Sequence, residues 1–112
     1  MIKDNQRLEI YLGFIVNSVF KILPLYEENN VGIKVHVGSL IFELNGMSRR
    51  VNVDIIAEYE SIMNILSSIE KEVGSESSSH AVIKRETFKC IDIIKNIIKK
   101  LEDGEYHDGL YR

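Results

Sequence analysis

The sequence has one cysteine, one proline and no tryptophan in 112 residues. Its single Cys90 cannot form an internal disulfide, so the chain must fold without covalent cross-links, as is usual in a reducing cytoplasm. Positive charge is also scarce, since 14 Lys and Arg face 17 Asp and Glu, and the net charge is −3. Because phosphate binding depends on clustered Lys and Arg, this balance disfavours duplex nucleic acid as the main partner. Because the chain has no internal disulfide, we expect a cytoplasmic protein.

Motifs that hold metals, phosphates or cofactors are missing as well. His36, His80 and His107 lie on three different segments, and none belongs to an HxxxH, HExxH or CxxC spacing. The glycines lack the spacing of the common phosphate-binding loops. Cys90 falls on an apolar helix face, where a thiol acts as a small hydrophobic side chain and not as a nucleophile. We expect no enzyme, no bound metal and no cofactor.

A leader sequence and a membrane span are not expected either. The N-terminus begins with polar residues, and Glu9, Asn17 and Lys21 interrupt the apolar run that follows. A signal peptide requires a cleaner apolar centre and a small-residue cleavage site, and a membrane helix requires about 20 largely apolar residues.

The most apolar stretch is residues 8–26, LEIYLGFIVNSVFKILPLY. Its apolar side chains recur at intervals of four and three, which places them on one face of a helix. That face consists of Leu8, Leu12, Ile15, Val19, Ile22 and Tyr26. Further apolar residues such as Phe14 and Phe20 occupy much of the remaining circumference, so we expect a central helix buried on several sides. Pro24 should kink this helix or restart it as a short turn through Leu25 to Glu28.

Residues 31–45 fit two different structures. As a helix, the segment begins with Asn30 as N-cap and ends at a left-handed Gly46. Its inner face would then consist of Ile33, Val37, Leu40, Ile41 and Leu44. As two strands, it alternates apolar and polar residues around Gly38-Ser39, which suits a type II′ turn, and a third strand could run from Arg50 to Ile55. We take the helical interpretation and keep the strands as the alternative.

Two more helices follow. The inner face of the first consists of Ile55, Ile56, Tyr59, Ile62, Met63, Leu66, Ile69 and Val73, and that of the second of Ile83, Thr87, Cys90, Ile91, Ile94, Ile98 and Leu101. Asn52 should cap the first helix, and Gly74 and Gly104 should end the two helices. Five acidic residues against one lysine mark the first, and six cations against two acids mark the second. An antiparallel hairpin would bring these opposite charges together.

These segments predict an all-α fold, a four-helix bundle-like single domain around a central N-terminal helix. The domain should cover residues 1–104, and residues 105–112 should form a flexible C-terminal tail. The alternative is an α+β fold with a helix, a β-hairpin or three-strand meander over residues 31–55, and then two helices.

Three segments, PLYEEN, SLIFELNGM and RETFKCIDIIKNI, are similar to short uncharacterised proteins of Gram-positive bacteria and their phages. The resemblance covers most of the chain. It implies a helical, small accessory protein of a bacterial or mobile-element genome, and it transfers no catalytic residue.

Excess apolar surface on the first helix, without catalytic motifs, favours function through protein-protein interaction. We expect a homodimer in which a second copy covers the side of the helix that the other elements leave open. The alternative is a nucleic-acid or nucleotide-binding regulator that uses paired arginines and the basic face of the last helix. The candidate partner contacts for the two interpretations are Tyr11, Phe14, Arg49, Arg50, Lys84, Arg85 and Lys89.

Overall fold

The computed structural model describes residues 4–51 and 55–104, and this part of the chain is built from helices alone. Its elements are α1 (Asp4–Phe20), α2 (Ile22–Glu27), α3 (Ile33–Met47), a 3-10 helix (Ser48–Arg50), α4 (Ile56–Val73) and α5 (His80–Glu102). The molecule measures 46 × 23 × 22 Å. The predicted all-α, bundle-like fold is confirmed, and the strand alternative is wrong for residues 31–51, which are helical or irregular.

The four long helices are arranged in a ring. α5 packs against α1 on one side and α4 on the other, α4 packs against α3, and α3 meets α1 more loosely. Two hydrogen bonds tie α3 to its neighbours. The Tyr59 hydroxyl donates to the Leu44 carbonyl at 2.7 Å, and His36 Nε2 lies 2.7 Å from the Ser18 carbonyl oxygen. α1 therefore occupies one corner of the bundle and is not enclosed on several sides as expected.

The predicted inner stripe of α1 is the part that faces the core. Leu8, Leu12, Ile15 and Val19 are at most 3% exposed, because their spacing of four and three places them on one helix face. Ile22 continues this stripe onto α2 and is fully buried. The common core therefore runs through the break between α1 and α2.

The break lies at Lys21, three residues before Pro24. A proline ring clashes with the carbonyl group four residues earlier, here that of Phe20, and its nitrogen cannot donate to that carbonyl. The helix therefore stops at Phe20 and restarts at Ile22, so that Pro24 lies in the first turn of α2. This agrees with the predicted restart but moves its beginning three residues upstream of Leu25.

The caps of α3 differ from prediction. Asn30 does not form the N-cap, which is Gly32, although the Asn30 side-chain oxygen accepts a hydrogen bond from the Gly32 N–H at 2.7 Å. Gly46 does not stop the helix, which continues to Met47. Within the described residues the left-handed positions are Asn29, with φ 57°, and Gly104, with φ 72°. Asn29 ends α2, and Gly104 follows α5 as predicted.

Most of the predicted inner faces of α4 and α5 are buried, and Ile65 and Ile97 are buried in addition. Four predicted members are only partly buried against the core: Ile56, Met63, Val73 and Ile98. At the turn between the helices, Ser79 caps α5 by accepting a hydrogen bond from the Val82 N–H, and its own N–H donates to the Glu72 carboxylate at 2.8 Å. Contacts between acidic and basic side chains of described residues include Glu27 with His80 and Arg85 with Glu86. Neither joins α4 to α5. The predicted cap Asn52 and the predicted tail lie outside the described residues.

Candidate interaction surfaces

The outer side of α1 carries large apolar side chains in contact with solvent. Phe14 is 67% exposed and Ile10 is 52% exposed. They lie four residues apart and therefore share one side of the helix, opposite the buried stripe. Gly13 lies between them, and a side chain added there would meet nothing within 4 Å. We call Ile10, Gly13 and Phe14 the α1 outer face.

An aromatic pair extends this apolar surface onto α5. The rings of Phe20 and Phe88 meet edge to face, with centroids 6.2 Å apart and planes at 78°. Lys95 Nζ lies 5.6 Å from the centre of the Phe20 ring, within the range of a cation–π contact. Both rings stay partly exposed, so the bundle surface along α1 is apolar on two adjoining elements.

α3 has an exposed apolar side of its own. Phe42 is 81% exposed, and Val35, seven residues earlier, is 72% exposed. A spacing of seven places both on the same outer side of α3. Unlike the α1 outer face, this side has polar Ser39 between its two large residues.

Tyr11, predicted as a partner contact beside Phe14, points toward the junction with α3. Its hydroxyl is buried without a hydrogen-bond partner. Burial, followed by the nearby Glu43 carboxylate, raises the pKa of Tyr11 to about 12. Burial, then Tyr11 and Glu43, also raises the pKa of Tyr59. Of the two predicted aromatic contacts, only Phe14 therefore presents its ring mainly to solvent.

The predicted basic contacts are all exposed but do not lie together. Arg49 and Arg50 follow α3, whose end packs beside the beginning of α4 through the bond from Tyr59 to Leu44. Because α5 returns antiparallel to α4, this end of the bundle also holds the C-terminus of α5. Lys84, Arg85 and Lys89 occupy the first half of α5, toward the opposite end, and Arg85 pairs with Glu86 at 3.2 Å.

A groove opens at that opposite end, where α2 and α4 finish and α3 and α5 begin. Its volume is about 630 Å³, within the range of small-molecule sites. We call it the end groove, and its lining residues are Leu25, Tyr26, Glu27, Asn29, Asn30, Ile33, Val73, Ser78 and His80.

Contacts between distant parts of the chain order the end groove. The Tyr26 and His80 rings stack with centroids 5.9 Å apart and planes at 24°. The Tyr26 hydroxyl lies 2.9 Å from Ser78 Oγ, and His80 Nε2 lies 3.0 Å from Glu27 Oε2. α2 is thereby attached to the beginning of α5 through three separate contacts.

The remaining candidates for chemistry are isolated. The described residues contain no group of three or more metal-ligating side chains. His36 contacts the Ser18 carbonyl, and His107 lies outside the described residues. Cys90 is fully buried, and burial raises the pKa of its thiol to about 12, which suppresses the reactive thiolate.

No family model, curated protein or solved structure matches this chain. A further observation concerns the apolar stretch that contains α1 and α2. By length and composition, Asn5–Glu27 is apolar enough to cross a membrane, with a mean hydropathy of 1.5, because its few charged residues lie near the ends. Core helices of globular proteins pass the same test, and about a third (33%) of the tested stretch is buried inside this bundle.

The end groove was missed by sequence reasoning. Its two halves, Tyr26–Glu27 and Ser78–His80, are about fifty residues apart and form no recognisable motif. The polar residues 27–30 after Pro24 are typical of a connection between helices and carry no signal for a groove.

Proposed function

We propose that this protein is a small, non-enzymatic accessory protein of a bacterium or phage that acts in the cytoplasm by protein-protein interaction, with self-association through the α1 outer face. The observation that carries the proposal is the exposure of Phe14 and Ile10, 67% and 52%, on a helix whose opposite side is already in the core. Adjacent exposed apolar groups of this size are typical of interaction sites.

The α1 outer face suits a second copy of the same helix. Ile10, Phe14 and Asn17 follow one another in α1 at spacings of four and three, the pattern of side chains along a helix-helix contact. Gly13 leaves room for close approach of a neighbouring backbone. In a two-fold dimer each copy would use the same patch, so both exposed faces would be covered together.

The alternative of a nucleic-acid or nucleotide-binding regulator receives less support. Arg49 and Arg50 belong to one end of a molecule 46 Å long, whereas Lys84 and Arg85 belong to the other. Phosphate binding favours cations gathered on one surface, and the chain as a whole is acidic, at −3.

The decisive experiment compares two exposed phenylalanines. Light scattering coupled to gel filtration at about 50 μM, a concentration that populates a micromolar dimer, should give a dimer for the wild type. Phe14→Glu should give a monomer, because a charge at the centre of the interface is unpaired and desolvated. Phe42→Glu, on the outer side of α3, is the matched control and should remain dimeric.

A wild type that is monomeric at this concentration, or equal effects of the two variants, would contradict the proposal. Titration of labelled single-stranded and duplex oligonucleotides at low salt tests the alternative. Tight binding that disappears when Arg49 and Arg50 are both replaced by Ala would favour the regulator instead.

A further inference from the structure

We propose that the end groove is a binding site for a small organic cation, with a primary ammonium or guanidinium group as the recognised chemistry. The inference concerns the end of the bundle and is independent of the α1 outer face. It is drawn from the polar groups, the aromatic pair and the charge of the groove lining.

The charged side chain that lines the groove permanently is the carboxylate of Glu27, a pure hydrogen-bond acceptor. Asn29 and Asn30 supply amide groups, and the Tyr26 and Ser78 hydroxyls bond to each other. No Lys or Arg is among the described lining residues, while Lys34 and Lys71 line a separate hollow beside Gly74. An ammonium or guanidinium group donates several hydrogen bonds and accepts none, so its chemistry complements this lining.

The aromatic rings add a second kind of complementarity. Tyr26 and His80 stack at 5.9 Å, which gives the groove an aromatic shelf directly beside the Glu27 carboxylate. Cations bind over aromatic faces, and an adjacent carboxylate adds direct attraction. Leu25, Ile33 and Val73 are apolar members of the lining, and the methylene groups that carry such a cation can pack against them.

The shelf is held in place before any ligand arrives. Tyr26 is fixed through its hydroxyl by Ser78, and His80 is fixed through Nε2 by Glu27. The side chains of His80 and Glu27 are 49% and 57% exposed, and exposed ion pairs contribute little to stability. The arrangement therefore contributes more to the shape of the groove than to the fold, and preordered groups favour binding.

Titration of the ¹⁵N-labelled protein with agmatine, which carries a guanidinium and an ammonium group, tests this site by NMR at about pH 8. We expect saturable shifts at Tyr26, Glu27, Ser78 and His80, with a dissociation constant of about 1 mM, since only a few groups hold the ligand. Glu27→Gln should weaken binding about tenfold, because a charge-assisted hydrogen bond is lost.

Glu28→Gln is the matched control, because Glu28 is the neighbouring exposed carboxylate and does not line the groove. It should change the affinity less than about twofold. Butane-1,4-diol, a neutral compound of similar length, should cause no saturable shift. The proposal is overturned if agmatine gives no saturable shift, if both glutamate variants weaken binding equally, or if inorganic phosphate binds the groove and agmatine does not.

Discussion

α1 and α5 pack against each other and bury their inner faces equally well, yet their outer faces differ in kind. Leu12 in α1 and Ile94 in α5 are both fully buried. On the outside, α5 presents charged residues such as Arg85, Lys89 and Asp92, whereas α1 presents Ile10 and Phe14. The same core-forming pattern thus occurs with two different surfaces.

The difference between the outer faces of α1 and α5 shows which apolar residues the fold requires and which remain available for interaction. A bundle needs only one apolar stripe per helix, and a charged outer side keeps the remaining surface hydrated. α5 comes close to this minimum, although Phe88 is 39% exposed. α1 has more apolar surface than the bundle core requires, and folding does not bury this additional surface.

The largest expected losses of stability come from substitutions in the core, and they test whether the inner faces of α1 and α5 contribute equally. Leu12→Ala and Ile94→Ala should each lower the free energy of unfolding by about 3 kcal/mol, the usual cost of a large-to-small change at a fully buried site. Urea denaturation followed by circular dichroism measures both. Phe14→Ala, on the same helix as Leu12 but exposed, should cost less than about 1 kcal/mol in a dilute monomeric sample. If Leu12→Ala lowers the free energy of unfolding as little as Phe14→Ala does, the inner face of α1 is not buried in the core.

Alkaline pH should destabilise the whole fold, first through Cys90 on α5 and then also through Tyr11 on α1. Burial raises the pKa of Cys90 from 9.0 to about 12, and the pKa of Tyr11 rises from 10.0 to about 12. A raised folded-state pKa means that the neutral form is favoured in the fold, so stability is complete below the unfolded value and is lost as pH increases above it. The urea midpoint should decline from about pH 9 and more steeply from about pH 10.

Two variants separate these contributions. Cys90→Ala should be less stable at pH 7 but should lose the decline that begins near pH 9. Tyr11→Phe should retain that decline and make the part above pH 10 less steep, and Tyr59, whose pKa is also raised, should cause the remainder. A midpoint that stays constant to pH 10.5 in the wild type would contradict the burial of both groups.

A smaller effect is expected from the glycine in the middle of α1, a position for which α5 has no counterpart. Gly13→Ala should stabilise the monomer by about 1 kcal/mol, because alanine has the higher helix propensity and its Cβ meets nothing within 4 Å. Gly46→Ala in α3 is equally unobstructed and should behave alike. Gly38→Ala should gain less, since its Cβ would lie 3.1 Å from Glu70 Oε2. Thermal unfolding at low protein concentration measures all three variants. If Gly13→Ala lowered the unfolding temperature, another group of the protein would have to lie against Gly13.

The smallest effect concerns the place where α1 and α5 bring two carboxylates together. Partial burial, then a hydrogen bond and charge repulsion with Glu102, raise the pKa of Glu9. The favourable contribution of a raised carboxyl pKa exists at acidic pH and is lost as pH rises through the folded-state value. Glu9→Gln should therefore stabilise the protein at pH 7 by less than about 0.5 kcal/mol and should have no benefit at pH 4. A benefit of the same size at both pH values would exclude the carboxylate contact as its cause.

The helical fold and most inward-facing residues could be predicted from the sequence, because the intervals of three and four reflect helix geometry directly. Helix ends were less predictable. Gly46 was expected to stop α3, but a glycine inside a helix costs only about 1 kcal/mol, and the next residue, Met47, packs partly buried against the core. The helix therefore continues to Met47.

The surroundings of each helix could not be predicted from its own pattern. α1 is apolar nearly all round, and only the arrangement of the other helices decides that Phe14 meets water while Tyr11 turns toward Glu43. The end groove also depends on tertiary packing, since Tyr26 and His80 belong to helices that are distant in sequence and come into contact only in the folded bundle. The spacing of apolar residues along one helix does not predict such contacts.

The break at Lys21 limits the length of the continuous apolar helix at this end of the chain. Unbroken, the 23 residues of Asn5–Glu27 would extend about 34 Å and match the hydrocarbon thickness of a bilayer, about 30 Å. α1 alone, with 17 residues, extends about 25 Å and falls short of it. The longest uninterrupted helix in this stretch is therefore shorter than the hydrocarbon core of a bilayer. Pro24, by separating α1 from α2, leaves the chain an apolar helix of a length suited to the bundle.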